Sequence, residues 1–216
     1  MLFDAYGTLL ELDDPVGRLR RGLARAGYVH DCATVAAAFR SEVAFYRRHQ
    51  DSGRDRASLE RLRMRCATVF AEALPSRPRM AEARTILMSS FVFRLFDDVV
   101  PALDALAAAG LRLGVVSNWD VSLTDVLRDL GILDRFASLS VSAAVGVRKP
   151  DPRIFLHALS ALGAAPGDVL HVGDDRARDL DGARSAGVRA VLIDRAAGRG
   201  DDDAIASLRS LPAFRV

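Results

Sequence analysis

The spacing of hydrophobic and polar positions changes along the chain. A short apolar run, Met1-Leu2-Phe3, is followed by polar residues and a glycine. From about residue 15 to residue 90, apolar side chains recur every three or four positions, which is the spacing of one face of an α-helix; they include Val35, Phe39, Val43, Leu59, Leu62, Val69 and Phe70. No strand-like alternation is found there, so this stretch predicts a small all-helical module.

From about residue 95 onward, short apolar runs alternate with helical segments. We predict strands at 111–116, 138–142, 168–172 and 189–193, and helices at 100–109, 123–130, 154–162 and 181–186. Gly110 and Gly187 follow two of these helices, and a glycine is a common residue just past a helix end. Strands that alternate with helices favour a parallel, doubly wound sheet, because parallel strands are joined by right-handed crossovers.

The two patterns together predict an α/β protein of two parts. Residues 1–13 and 95–216 form a Rossmann-like core with a doubly wound parallel sheet, and residues 14–94 form an inserted all-helical domain. The strand before Asp4 has three residues, whereas strands usually have about five or six. We therefore expect that the natural chain begins upstream of Met1 and that a longer form is more stable.

Composition excludes several classes of protein. Half of the 216 residues are hydrophobic, which permits a proper core and argues against global disorder. A net charge of +2 gives no general reason to expect nucleic acid or an anionic membrane as partner. Cys32 and Cys66 are too few for a disulfide scaffold, and no apolar run approaches the length of a membrane span. We expect a soluble, cytoplasmic protein that acts on a small molecule.

Polar clusters follow several of the predicted strands. They are Asp4 to Thr8, Ser117-Asn118, Lys149, and Asp174 to Asp179. Open parallel sheets bind ligands beyond the carboxyl ends of their strands, so these clusters are expected to converge. Lys149 is the only lysine among 30 basic residues, which is notable because arginine does not replace a compact point charge.

These segments resemble, in order, the four motifs of the haloacid dehalogenase-like hydrolase superfamily. The matching segments are Phe3-Asp4-Ala5-Tyr6-Gly7-Thr8-Leu9, Val116-Ser117-Asn118, Arg148-Lys149-Pro150-Asp151, and Val172-Gly173-Asp174-Asp175 with Asp179. The helical insert is similar to the cap domain that this superfamily carries just after its first motif.

The resemblance implies a role for each matching residue. The catalytic residues are Asp4 as nucleophile, with Tyr6, Ser117 and Lys149. A transferred phosphoryl group would be held by Thr8, Ser117, Asn118 and Lys149. Mg²⁺ would be bound by Asp4, Asp174, Asp179 and the backbone carbonyl of Tyr6. Clustered carboxylates repel one another and supply the hard oxygen ligands that Mg²⁺ prefers, which agrees with this last assignment. Asp175 is expected to orient a water molecule or Lys149.

Tyr6 departs from the pattern of the superfamily's phosphatases, which usually have an aspartate there as general acid. An Asp-x-Tyr-Gly-Thr motif is similar to that of the 2-haloacid dehalogenases, which displace halide from carbon without a metal. Those enzymes, however, have a tyrosine where this chain has Phe155, and Ser-Ser-Asn where it has Gly173-Asp174-Asp175.

Three functions stay open, and the first is favoured. The chain is a Mg²⁺-dependent phosphatase that acts on a small phosphorylated metabolite through an aspartyl-phosphate, or a 2-haloacid dehalogenase with an aspartyl-ester intermediate, or a weakly active member that binds a metabolite or a protein. Two further expectations concern single features: His171 is a packed core histidine, and Asp201-Asp202-Asp203 is a solvated loop.

Overall fold

The computed structural model describes residues 1–195 and 204–213. It divides into two compact units, one formed by Met1–Glu11 with the described residues from Arg94 onward, and the other by Leu12–Phe93. The sequence placed the inserted domain at residues 14–94, and its identification as a cap stays a prediction. The expected solvated loop at Asp201-Asp202-Asp203 lies outside the described residues.

Eight strands are formed within these ranges. They are β1 (Leu2–Phe3), β2 (Leu10–Leu12), β3 (Phe93–Leu95), β4 (Gly114–Ser117), β5 (Ser138–Val141), β6 (Leu170–Gly173), β7 (Arg189–Ile193) and β8 (Ala204–Ile205). Six of them form one sheet in the order β5-β4-β1-β6-β7-β8, and every pair is parallel. β2 and β3 pair separately. The predicted doubly wound parallel sheet is confirmed.

Helices account for the rest of the regular structure. The inserted unit contains α1 (Pro15–Arg25), α2 (Cys32–His49), α3 (Arg56–Glu72) and α4 (Met80–Ser90). The sheet unit contains α5 (Val99–Ala108), α6 (Leu123–Asp129), α7 (Ser142–Val145), α8 (Pro152–Leu162) and α9 (Gly182–Ser185). Three helices of the insert begin after an aspartate whose carboxylate accepts a backbone N–H of the first turn, namely Asp14, Asp31 and Asp55. Such caps satisfy donors that have no partner within the helix.

The structure differs from the predicted elements in segments that are too short to show a periodic spacing of hydrophobic residues. The strand predicted from residue 111 begins only at Gly114, where it pairs with Leu2 of the short β1. Ser142, predicted as the end of a strand, begins α7. A π-helical turn, Arg176–Asp181, comes before α9. The two-stranded ribbon of β2 and β3 was not predicted, because three residues are too few to show alternation.

Each unit has its own hydrophobic core. Leu2 and Phe3 are fully buried because β1 lies between β4 and β6. One side of the sheet packs on α8 and α9, through a cluster that includes Leu2, Val116, Ile154, Phe155, Ala158 and Ala183. The core of the inserted unit includes Leu19, Leu23, Val35, Leu62, Ala67, Phe70 and Leu87. In the described ranges, no helix combines the length and apolar character that crossing a bilayer requires.

Candidate active site

Asp4 lies directly after the central strand of the sheet. Its backbone N–H donates to the carbonyl of Val172 in β6 at 2.8 Å, and the side chain is buried. Ser117 is the last residue of the neighbouring β4, and Asp174 follows β6 on the other side. Because the three strands are parallel, their carboxyl ends bring these side chains to the same edge of the sheet.

Lys149 bridges two of the carboxylates. Its Nζ lies 2.6 Å from Oδ1 of Asp4 and 2.5 Å from Oδ1 of Asp179, and only 3% of the residue is exposed. The hydroxyl of Ser117 donates to the same Oδ1 of Asp4 at 3.0 Å. The structure therefore brings together four of the residues predicted for the site, and the only lysine of the chain is its buried cation.

Burial and charge act against each other on these groups. Burial raises the pKa of Asp4, while the ammonium of Lys149 opposes this shift. Burial also disfavours ionisation of Asp179, but Lys149 and His171 outweigh it and hold its pKa well below the usual range. At Asp174, partial burial is the largest cause of a pKa raised to about 6; the charges of Asp4 and Asp179 add to it, and those of Lys149 and Arg178 oppose it.

Carboxylate oxygens of Asp4, Asp174 and Asp179 all lie within 4.8 Å of one another. Three carboxylates against one ammonium leave an excess of negative charge. Hard oxygen donors in this number suit Mg²⁺. The residues present thus fit a divalent cation. The predicted contribution of the Tyr6 carbonyl stays a prediction.

Two glycines let the carboxylates approach the backbone closely. Gly7 has a φ of 84°, and a Cβ atom added there would lie 2.1 Å from Oδ2 of Asp174. A Cβ atom at Gly173 would lie 2.1 Å from Cγ of Asp179. Any side chain at either position would displace one of the acidic groups.

Asn118 contacts the backbone of Lys149. Its Oδ1 accepts the Lys149 N–H at 2.7 Å, and its Nδ2 donates to the Lys149 carbonyl at 3.0 Å. These bonds use the side-chain oxygen and one of the two N–H groups of the amide. The prediction that Asn118 holds an anion stays a prediction. Thr8 is fully buried, and within the described residues its Oγ1 has no hydrogen-bond partner.

Tyr6 differs from the other predicted residues in its exposure. Its side chain is 38% exposed, and its ring is tilted against that of Trp119 with centroids 6.4 Å apart. The carboxylate of Asp175 accepts the backbone N–H and the guanidinium of Arg178, and caps the π-helical turn. Its predicted role in orienting a water molecule or Lys149 stays a prediction.

Sequence reasoning did not assign His171 to the site. The prediction that it is a buried core histidine is confirmed, and its ring packs edge-on against Phe155 at 5.1 Å. In addition, its Nε2 lies 2.9 Å from Oδ1 of Asp179. The only signal in the sequence was its place in the strand that leads to Asp174, which predicts burial but not a partner.

Comparisons with known proteins agree with this geometry. The sequence profile of the haloacid dehalogenase-like hydrolase family matches residues 1–187. The chain is similar to haloacid dehalogenase-like hydrolase domain-containing protein 3 of Mus musculus, with 32% identity over 89% of this chain and 80% of that protein. It is 33% identical to the phosphoserine phosphatase of Thermus thermophilus, over 97% of this chain and 94% of the phosphatase.

The fold of this chain is also similar to that of a solved dehalogenase structure. The 2-haloacid dehalogenase of Pseudomonas syringae pv. Tomato DC3000 superposes with a TM-score of 0.65 and 26% identity, covering 98% of this chain and 95% of the other. Similarity to a phosphatase and to a dehalogenase keeps both chemistries in view, and the residues around Asp4 must distinguish them.

Proposed function

Because the chain belongs to the haloacid dehalogenase-like hydrolase family, we propose that it is a Mg²⁺-dependent phosphatase that hydrolyses small phosphate monoesters through a phosphorylated Asp4. One observation carries this proposal. The Asp4 carboxylate shares its site with two further carboxylates and a single buried ammonium, an arrangement that suits a cation and a phosphoryl group.

The first step is attack by the Asp4 carboxylate on phosphorus. Ser117 and Lys149 both donate to Oδ1, so we assign the attack to Oδ2. The Oδ2–P bond forms while the bond from phosphorus to the ester oxygen breaks, and the ester oxygen leaves with the electron pair. Splitting hydrolysis in this way replaces one difficult step by two easier ones.

Hydrolysis of the aspartyl-phosphate completes the cycle. Water attacks phosphorus, its proton is lost to solvent or to a nearby base, and Asp4 is released as a carboxylate with inorganic phosphate. Lys149 stabilises the ionised Asp4 at the start and end of the cycle, and the negative charge on the phosphoryl oxygens between them. Its double contact with Asp4 and Asp179 holds the ammonium in place beforehand.

Asp4, Asp174 and Asp179 are the residues that would hold Mg²⁺. When bound, the ion would offset the charge of the phosphoryl oxygens and of the three carboxylates. The geometry agrees with this assignment, because carboxylate oxygens of the three residues lie within 4.8 Å of one another.

The dehalogenase is the second candidate, and Tyr6 is the observation that favours it. Against it, a 2-haloacid carries its own carboxylate, which Asp174 and Asp179 would repel. Phe155 is also fully buried and lacks the hydroxyl of the tyrosine found at that position in the dehalogenases. The third candidate, a weakly active binder, would take up Mg²⁺ and phosphate but would not form the aspartyl-phosphate.

A release screen tests the proposal. The protein is incubated with 4-nitrophenyl phosphate, acetyl phosphate and 2-chloropropionate, each with Mg²⁺ and with EDTA, and phosphate and chloride are measured. We expect phosphate release that requires Mg²⁺, no chloride release, and loss of turnover in Asp4→Asn. The exposed Asp129→Asn serves as the matched control and should keep wild-type rates.

Two outcomes would contradict the proposal. Chloride release that persists in EDTA would establish the dehalogenase. Binding of beryllofluoride with Mg²⁺, without turnover of any phosphate ester, would establish the binder.

A further inference from the structure

A partly buried ion pair lies beside the loop that follows Asp4, outside the four motifs. Asp98, just before α5, accepts two hydrogen bonds from Nη1 of Arg195, each at 3.0 Å. Its Oδ2 also accepts the Ser207 hydroxyl at 2.7 Å and the Leu208 N–H at 2.8 Å. Only 8% of Asp98 is exposed. A carboxylate that accepts four hydrogen bonds from three donor atoms is a fixed anchor for the guanidinium.

The second arm of the guanidinium reaches the loop itself. Nη2 of Arg195 donates to the carbonyl of Thr8 at 2.5 Å. The guanidinium also lies over the ring of Phe96, 3.8 Å from its centroid, and the Phe96 N–H donates to the Leu9 carbonyl at 3.2 Å. A planar fork can serve an anion and a carbonyl at once while stacking on a ring, and a lysine ammonium cannot.

The contact from Arg195 adds a hydrogen bond from outside the loop to those that the loop forms within itself. Within the loop, the Ala5 carbonyl accepts the N–H groups of Leu9 at 2.8 Å, Leu10 at 3.0 Å and Thr8 at 3.4 Å, and the Gly7 N–H donates to the Leu10 carbonyl at 2.8 Å. Within the described residues the Thr8 hydroxyl has no partner. Asp4 lies at one end of the loop, and Gly7 lies against Asp174 in the middle. Movement of the Thr8 carbonyl would therefore move the loop between Asp4 and Thr8, in which Gly7 lies against Asp174.

We propose that Arg195 and Asp98 are positioning residues, which hold the Thr8 carbonyl and thereby fix the loop from Asp4 to Thr8. They touch none of the reacting groups. The kinetic consequence rests on the proposed phosphatase function, whereas the structural consequence does not. A misplacement of about 1 Å at a reacting group can lower the rate by about 10²-fold, so loss of this anchor is expected to lower the turnover rate.

Two readouts on the full chain test this inference. Amide hydrogen exchange is followed for residues 4–10 and, as an internal reference, for β5. Turnover of 4-nitrophenyl phosphate with Mg²⁺ is measured in parallel. The variants are Arg195→Lys, which keeps the charge, Arg195→Ala and Asp98→Asn. Arg135→Lys is the matched control, because Arg135 pairs with Asp104 in the same unit, away from the loop.

In Arg195→Lys and Asp98→Asn we expect faster amide exchange at residues 4–10 and unchanged exchange in β5. We also expect kcat to fall by roughly tenfold or more, with a smaller change in KM. A decrease of this size in kcat corresponds to the loss of one charge-assisted hydrogen bond. Arg135→Lys should change neither readout. If Arg195→Ala does not fold, Arg195→Lys and Asp98→Asn are sufficient to test the inference.

Unchanged exchange and unchanged kcat in both variants would overturn the inference, and so would faster exchange spread equally over β5, since that is general destabilisation. A wild-type protein that turns over no phosphate ester would refute the proposed function instead, and the exchange result would still decide whether the ion pair holds the loop.

Discussion

The side-chain amide of Asn118 pairs with both backbone groups of Lys149, accepting its N–H at 2.7 Å and donating to its carbonyl at 3.0 Å. The two residues are 31 positions apart and belong to different motifs. The amide thus fixes the peptide groups from which the buried lysine side chain extends toward Asp4.

Replacing this amide should impair turnover more than anion binding. Asn118→Ala leaves the Lys149 N–H and carbonyl without these partners, and a buried polar group that loses its partner costs about 1–3 kcal/mol. We expect kcat to fall by roughly tenfold or more, with a smaller change in the inhibition constant of inorganic phosphate. Ser122→Ala, in the same loop, is the control. A large loss of phosphate inhibition with kcat unchanged would instead show that the Asn118 side chain binds the anion directly.

Lys149 should tolerate no substitution. Lys149→Ala leaves Asp4 and Asp179 buried without their cation, so we expect turnover to fall by at least ~10² and the pKa of Asp4 to rise. We expect this variant to fold. Because breaking a buried ion pair typically costs about 3–5 kcal/mol, denaturant unfolding should show that it is less stable than the wild type. Lys149→Arg should be impaired as well, because a planar guanidinium does not replace a point charge between two carboxylates. Full activity of Lys149→Arg would refute the catalytic role.

Gly7→Ala should abolish the site rather than the fold. The added Cβ atom would lie 2.1 Å from Oδ2 of Asp174, and the residue would also be held at a φ of 84°. Gly110→Ala is the matched control, since Gly110 has a φ of 77° but no atom within 4 Å of the added Cβ. Both variants should lose about 1 kcal/mol of stability from the left-handed backbone. Only Gly7→Ala should lose turnover, by about 10²-fold. Equal kcat in the two variants would show that Asp174 is not needed where it lies.

Tyr6 should make the rate depend on the leaving group. A positioned general acid is worth about 10²–10⁴ in rate, and a tyrosine with a reference pKa of ~10 is a poor donor near neutrality. Aryl and acyl phosphates leave as weak bases, so 4-nitrophenyl phosphate and acetyl phosphate should be hydrolysed well above simple alkyl phosphates. Tyr6→Asp should accelerate the alkyl esters selectively.

The conservative variant Tyr6→Phe, which removes only the hydroxyl, is the control for this comparison. Alkyl phosphates hydrolysed by the wild type as fast as aryl ones, with chemistry rate-limiting, would mean that another group supplies the proton.

Glu42 should make the inserted unit less stable as pH rises. It is 2% exposed within α2, and burial raises its pKa from 4.5 to about 7, although the Cys66 thiol donates to it. Between these values the folded chain binds a proton that the unfolded chain does not, so the free energy of unfolding decreases from pH 4.5 to pH 7 and stays low above pH 7. The shift corresponds to at most about 3 kcal/mol.

Denaturant unfolding at pH 5 and pH 8 measures this effect. The difference between the two pH values should shrink in Glu42→Gln, which cannot ionise, and should persist in Glu72→Gln, where the side chain is exposed on α3. The same difference in wild type and Glu42→Gln would mean that Glu42 is not the group responsible.

The sequence by itself determined the kind of fold and most of the candidate residues. Apolar runs alternating with helical spacing are local patterns, and they predict a parallel sheet because parallel strands require crossovers. Asp4, Ser117 and Asp174 could be found for the same reason, since each follows a strand and the carboxyl ends of parallel strands share one edge. The only lysine of the chain, Lys149, was recognisable from composition and its motif.

Only the tertiary structure decided which of these groups contact one another. Periodicity reports whether a side chain is buried, but it carries no information about its partner across the sheet. Burial of His171 was therefore predictable, whereas its contact with Asp179 was not. Likewise Asp98 and Arg195 are 97 positions apart, and each lies outside the regular spacing of a helix or a strand. Their pairing depends on how β1, α5 and the segment after β7 are packed in space, which a one-dimensional pattern does not encode.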